Sequence, residues 1–137
     1  MAYWLFKSEP GTWSWDDQVA TDIEGWDGVR NHQACNNMRA MKVGDRGFFY
    51  HSVKERLIVG VVEVATEFHP DPTDASGKFG MVGVRALHPV KRPVSLADIK
   101  ADGRFDDFAL IKQSRLSVVP VSDEHWRMLS EMAGVDP

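Results

Sequence analysis

The sequence predicts a small α+β domain in which a mixed β-barrel is surrounded by short helices. The chain has 137 residues, a length that fits one domain spanning 1–137. Most of the segment 46–87 is rich in β-branched and aromatic residues, with no helical pattern inside it. The helical patterns lie before and after this segment. They therefore favour a small mixed barrel over a regularly alternating, parallel βαβ sheet.

The first third of the chain predicts a strand, two helices and a second strand. Residues 3–8 are rich in aromatic side chains and are followed by a Pro-Gly pair, which is typical of a buried strand. Ser14 is a good N-cap, and the acidic residues after it favour a helix over 14–21. Asn31 caps a second helix, in which Ala34, Met38 and Met41 share one face. A glycine turn then leads into a strand over 46–51.

The rest of the chain alternates between long strands, loops and short helices. The predicted elements are strands over 57–68 and 79–87, a loop over 69–78, a short helix capped by Ser95, helical turns within 105–111, a strand over 116–121, and a helix from Asp123 to a stop at Gly134.

Charge and composition exclude several classes of protein. The formal net charge of −4 argues against a protein that grips duplex DNA by charge alone. All charges over 9–27 are negative, whereas 29–52 is mainly basic and can steer a phosphate chain. The candidate phosphate-contacting residues are Arg30, Arg39, Lys42 and Arg115.

A single cysteine excludes an internal disulfide, and no membrane or signal segment is visible, so we expect a cytoplasmic protein without a membrane partner.

No catalytic or metal-binding motif is present. His32 and Cys35 stand at i, i+3 on the second predicted helix, where they could form a nucleophile pair or two metal ligands. The alternative is a surface histidine and a small packed thiol, and no further cysteine or nearby histidine completes a four-ligand set. We therefore predict no catalytic residues, no metal and no cofactor.

The five tryptophans are the most informative side chains. Trp4 and Trp126 fall in core positions, whereas Trp13 and Trp15 flank the first helix and are expected to cover one end of the barrel. Trp26 stands in a Gly/Asp loop, where a large indole either plugs the core or faces a ligand.

Polar groups lie close to Trp26 in this arrangement. Lys7, Ser8 and Glu9 end the first strand, and Arg30 and Asn31 begin the second helix. An aromatic ring that stacks on a base, beside groups that read its edge, makes a nucleobase pocket. Asn31 has the alternative role of capping its helix.

Several blocks of the sequence resemble the EVE domain family. They are Tyr3–Pro10 (YWLFKSEP), 26–34 (WDGVRNHQA), 36–39, 41–45, 48–52, 71–73 and 113–118, which together span nearly the whole chain. The resemblance implies a PUA-like fold and kinship with YTH domains, which read methylated adenine through an aromatic cage. It also implies that the partner is a modified base, such as a modified cytosine, in DNA or RNA.

The resemblance also implies roles for individual residues. Trp26 would be one aromatic wall and Phe79 a second, where relatives commonly have tryptophan. Leu110 would close the pocket. The remaining expected pocket residues are Lys7, Ser8, Glu9, Val29, Asn31, Tyr50, His51 and Ser52.

Two other functions stay open from the sequence. The chain could be a hydrolase of modified nucleosides, as some ASCH domains are, although the Gly-x-Lys-x-x-Glu-x-Arg motif of those domains is absent. It could also be a protein-interaction module with a vestigial pocket. A monomer is favoured over an oligomer.

Overall fold

In the computed structural model, which describes residues 1–137, the chain forms six strands and five helices. The strands are β1 (Tyr3–Ser8), β2 (Glu24–Gly25), β3 (Arg46–His51), β4 (Leu57–Pro70), β5 (Gly80–Ser95) and β6 (Val118–Val121). The helices are α1 (Trp15–Ala20), α2 (His32–Arg39), α3 (Leu96–Asp102), α4 (Ala109–Lys112) and α5 (Asp123–Ala133). None of these helices is long and apolar enough to cross a membrane.

All six strands belong to one mixed sheet in the order β2-β5-β4-β3-β1-β6. The pairing of β1 with β3 is parallel and places Ser8 beside His51, whereas the other four pairings are antiparallel. The mixed α+β class is confirmed. The sheet does not close into a barrel, however, because its edge strands β2 and β6 are not hydrogen-bonded to each other.

The longest strand, β5, continues well beyond the predicted end at residue 87. Its pairing with β4 shifts register several times, most strongly between the pairs Ile58–Val94 and Gly60–Pro89. Proline cannot donate to a β-ladder, and it is tolerated where the ladder is irregular. Pro89 and Pro93, which in the sequence indicate the end of a strand, therefore lie within a strand whose pairing is interrupted by bulges.

Side-chain caps fix where the helices begin, as the sequence predicts. The Ser14 hydroxyl accepts the Asp17 N–H at 3.1 Å, and Asn31 Oδ1 accepts the Ala34 N–H at 2.9 Å. Ser95 caps α3 in the same way. The two-residue strand β2 was not predicted, because so short a segment has no periodicity of its own.

Aromatic side chains fill the core on both faces of the sheet. Trp126 of α5 stacks against Tyr3 at 4.4 Å and against Phe48 at 4.1 Å between ring centroids. Together with the burial of Trp4, this contact confirms the two predicted core tryptophans. On α1, Trp15 lies over Gly60, where an added Cβ atom would come within 2.5 Å of the indole ring.

Replacing Gly60 with alanine should therefore destabilise the protein. The new methyl group must displace a buried indole, and overpacking of this kind costs about 1–3 kcal/mol. Urea unfolding of Gly60→Ala should show this loss relative to Gly11→Ala, whose Cβ would meet only a flexible glutamate side chain. Equal stability of the two variants would contradict the close packing of Trp15 on β4.

Candidate functional site

A cleft of about 350 Å³, here called the first cleft, opens where β1 ends and α2 begins. Its walls come from the end of β1, the segment leading into α1, the segment from β2 to α2, and the residue before β6. The lining residues are Lys7, Ser8, Glu9, Thr12, Trp13, Glu24, Gly25, Trp26, Asp27, Gly28, Val29, Arg30, Asn31 and Ser117. The structure thus brings together the polar residues at the end of the first strand, the Trp26 loop and the start of the second helix.

Trp26 combines the two roles that the sequence left open. Only 8% of the residue is exposed. Its ring makes edge-to-face contacts with Phe6 at 5.3 Å and with Phe49 at 5.8 Å. It nevertheless lines the first cleft. The indole is therefore a core residue that presents a small part of its surface to the cleft, in a position fixed by packing.

Trp13 is a second aromatic wall, which sequence reasoning missed. Its indole N–H donates to Gln18 Oε1 at 3.0 Å, and the fully buried Gln18 side chain in turn donates to the Val84 carbonyl at 3.3 Å. A ring held by such a hydrogen-bonded chain keeps its orientation. The sequence places Gln18 three residues after Trp15, on the same face of α1, but its partner on β5 lies far away in the sequence.

The polar groups at the end of β1 are held by hydrogen bonds. The Ser8 hydroxyl donates to the Trp13 carbonyl, and Lys7 Nζ donates to the Ser114 carbonyl at 2.9 Å. Burial lowers the pKa of the Lys7 ammonium group from its ordinary value. Because the Ser8 hydroxyl already donates its proton to the Trp13 carbonyl, its oxygen can serve the cleft only as a hydrogen-bond acceptor.

A buried carboxylate, Asp71, anchors the loop that carries the first cleft. It accepts the Gly28 N–H at 2.8 Å, an Arg30 guanidinium N–H at 3.0 Å, and both the N–H and the hydroxyl of Thr73. Burial by itself raises the pKa of Asp71, but the hydrogen bonds from Thr73, Gly28 and Arg30 outweigh burial and hold that pKa well below its usual range. Gly28 has φ +77°, a conformation that glycine adopts without strain.

Three carboxylates give the first cleft an acidic side. Glu9, Glu24 and Asp27 all line it. Burial, and then the neighbouring Asp27 charge, raise the pKa of Glu24 above its ordinary value. Carboxylates accept hydrogen bonds from exocyclic amino groups of bases. The arrangement can therefore hold a flat ring against the indoles and accept hydrogen bonds from its edge.

Five of the eleven expected pocket residues do not line the first cleft together with Trp26. Tyr50, Ser52 and Leu110 line a second, neighbouring cleft of about 470 Å³. His51 is buried, and its Nε2 accepts the Trp15 N–H at 3.0 Å while its Nδ1 lies 3.1 Å from Glu55. His51 therefore joins β3 to the start of α1, a contact that no local pattern reveals.

Phe79, expected as the second aromatic wall, also lies outside the first cleft. Its ring packs 5.0 Å from the His32 ring, and the Arg30 guanidinium lies 5.5 Å from its centroid. Asp74 accepts the Phe79 N–H at 2.8 Å and fixes this position. In the structure Trp13, and not Phe79, lines the first cleft beside Trp26.

The expected phosphate-contacting cations are spread over three places. Arg30 lines the first cleft but is tied to Asp71 and Thr73, whereas Arg115 lines the second cleft. Arg39 lies with its guanidinium 4.4 Å from the Phe68 ring at the far end of α2, and Lys42 follows that end. The structure does not bring these last two residues to either cleft.

The contacts of His32 and Cys35 fit a surface histidine and a small packed thiol. Cys35 is buried, and its thiol lies 3.6 Å from the Val29 carbonyl, whereas His32 is exposed and rests against Phe79. No group of three His, Cys, Asp or Glu side chains in the structure is placed to hold a metal ion.

The open mixed sheet and the cleft at the end of its first strand define a PUA-like domain of small size. The EVE domain model matches residues 2–132, and the chain belongs to that family. Its resemblance to the family, inferred from the sequence blocks, is thereby confirmed.

Solved relatives agree closely with the structure. A protein of Rhodopseudomonas palustris is 54% identical, with a TM-score of 0.92 over 98% of this chain and 94% of its own. A protein of Agrobacterium tumefaciens is 48% identical, with a TM-score of 0.95 over 100% of this chain and 97% of its own. Human THYN1, solved in complex with 5-methylcytosine containing DNA, is 33% identical, with a TM-score of 0.91 over the full length of both chains. An ASCH protein of Zymomonas mobilis, 12% identical with a TM-score of 0.61, shares the fold alone.

Replacing Asp71 with asparagine should destabilise the protein in a pH-dependent way. The depressed pKa means that Asp71 stabilises the fold above its ordinary value of about 3.9, and that this contribution is lost as the pH falls below it. At pH 7 the loss should be about 1–3 kcal/mol. The difference from the unmodified protein in urea unfolding should shrink by up to about 1.4 kcal/mol per pH unit below that value. Asp106→Asn, at an exposed carboxylate, is the control, and a pH-independent loss for Asp71→Asn would contradict the charged anchor.

Replacing Glu24 with glutamine should stabilise the protein at neutral pH. Because the pKa of Glu24 is raised in the folded state, its ionised form opposes folding above about pH 4.3, and this effect is absent below that value. The melting temperature of Glu24→Gln should therefore be higher at pH 7 and unchanged at pH 4. Glu124→Gln, in the first turn of α5, removes a carboxylate that favours its helix, so it should give no increase. A lower melting temperature of Glu24→Gln at pH 7 would show that the ionised Glu24 side chain stabilises the folded protein.

Proposed function

We propose that this protein binds a single modified nucleobase in the first cleft, with 5-methylcytosine in DNA as the first candidate. One observation carries the proposal. A cleft with two fixed indoles and several hydrogen-bond acceptors occurs in a chain that shares its fold with human THYN1, which was solved with 5-methylcytosine containing DNA. The volume of about 350 Å³ lies within the range of small-ligand sites.

The chemistry of the walls suits a cytosine-type base. Trp13 and Trp26 offer apolar indole surface for a flat ring and its methyl group. Glu24 and Asp27 offer carboxylate oxygens to an exocyclic amino group, which cytosine carries at N4. Asn31 Oδ1 already caps α2, so only its amide N–H groups are left to donate to a base.

Energetics favour an unpaired base over one inside a duplex. Stacking on an aromatic side chain contributes about 1–3 kcal/mol per base. Extrusion from a duplex costs a few kcal/mol, so the two effects nearly cancel. One buried methyl group adds about 0.8 kcal/mol, which corresponds to roughly a fourfold preference for the methylated base. We therefore propose a weak reader that selects single-stranded or already unstacked sites.

A fluorescence anisotropy titration tests the proposal with a labelled 12-nucleotide single strand that carries one central 5-methylcytosine, and with its unmethylated twin. The unmodified protein should prefer the methylated strand by roughly fourfold. Trp13→Ala should weaken binding by about 5- to 150-fold, because it removes a stacking surface.

Phe68→Ala is the matched control, since it removes a half-buried ring that lies under Arg39 and away from the cleft. It should leave binding unchanged, and thermal unfolding of both variants verifies that they fold. Equal affinity for both strands, with no effect of Trp13→Ala, would overturn the proposal. Release of free base during the titration would indicate a hydrolase instead.

A further inference from the structure

The second cleft has a lining that differs in charge from the rest of the molecule. Its four ionised side chains are all basic: Lys7, Arg56, Lys100 and Arg115. No carboxylate lines it, although the chain has 20 acidic and 16 basic residues. By contrast, three of the five charged residues in the first cleft are acidic.

Most of this positive charge is free to bind a ligand. Lys100 and Arg115 are exposed, and neither side chain makes a hydrogen bond or an ion pair within the protein. Arg56 donates only to the Val53 carbonyl, at 3.0 Å. Cations gathered in one concave surface with no carboxylate in its lining repel each other, and an anion held between them relieves that repulsion.

The two clefts share part of their walls. Lys7 and Ser117 line both, so the end of β1 and the residue before β6 form the boundary between them. The two clefts are therefore adjacent, and a ligand longer than the first cleft would meet the second at this boundary. A nucleotide has this form, because its flat base and its phosphate are covalently linked.

The backbone on one side of the second cleft is strained. Val53 has φ +72° and Arg56 has φ +53°, and both residues line the cleft. Positive φ is a genuine outlier for a β-branched residue, and such strain is concentrated at binding sites. Val53 is also 61% exposed, although it is a large apolar residue. No core packing therefore explains why the chain adopts this conformation.

We propose that the second cleft binds the phosphodiester backbone of the strand whose base occupies the first cleft. This inference rests on the proposed function. In this proposal the first cleft binds the base. The second cleft binds the adjoining phosphates through Arg56, Lys100 and Arg115. Phosphate contacts give affinity that depends on salt and not on sequence, whereas contacts to the base give selectivity.

The salt dependence of binding tests this division. Anisotropy titrations of the methylated single strand at several salt concentrations give the slope of log K against log salt. The double variant Lys100→Ala/Arg115→Ala should flatten this slope by about 0.7 for each phosphate that it no longer neutralises, and hence by about 1.4 in total. Its affinity for the methylated and unmethylated strands should fall by the same factor. The control Lys91→Ala/Arg127→Ala has the same net charge, lies at exposed sites outside the cleft, and should keep the original slope.

Titration with free 5-methyldeoxycytidine and with its 5′-monophosphate separates the two clefts. The nucleoside should bind the unmodified protein and the double variant equally, whereas the monophosphate and the strand should bind the variant more weakly. An unchanged slope in the double variant, an equal change in the control, or a loss of nucleoside binding in the variant would each overturn the second-cleft proposal. A flattened slope combined with equal affinity of the unmodified protein for both strands would instead overturn only base recognition.

Discussion

The parallel pairing of β1 with β3 is the constraint on which the rest of the structure depends. Parallel neighbours cannot be joined by a tight turn, so the chain between Ser8 and Arg46 must cross from one end of the sheet to the other. That crossover contains α1, β2 and α2, and it carries most of the residues of the first cleft. The cleft therefore exists because a long connection has to begin where β1 ends, and the side chains of that connection face the end of the strand.

Three buried polar side chains hold the crossover in place through hydrogen bonds. Asp71 fixes the loop after Trp26, His51 fixes the start of α1, and Gln18 joins α1 to β5 and orients Trp13. A buried polar group must find a partner, so each anchor permits only a narrow set of positions for the segment it holds. The rigid walls of the first cleft follow from this requirement, since an indole that is already fixed loses little freedom when a ligand stacks on it.

Much of the fold could be predicted from the sequence because its signals are local. Strand β1 and strand β3 have their predicted bounds, and the N-caps Ser14, Asn31 and Ser95 begin their helices, since capping needs only atoms within three residues. The site could be predicted only in part. The sequence pattern predicts Lys7-Ser8-Glu9 and the Trp26 loop as parts of the site, whereas it predicts only a covering role for Trp13. Its orientation depends on a carbonyl of β5, and nothing in its own neighbourhood indicates that contact.

The sequence by itself determined the family, because several of its blocks resemble those of EVE domains. It also determined the mixed α+β class and the residue types available to read a base, because these depend on composition, periodicity and local hydrogen bonding. Tertiary structure alone decided which of these residues share a cleft. In the folded chain Phe79 packs against His32, Tyr50 and Leu110 line the second cleft, and the sheet stays open. The physical reason is that strand register and crossover packing set the distances between segments far apart in the chain. Those distances come from the balance of all buried contacts and not from any one stretch of residues.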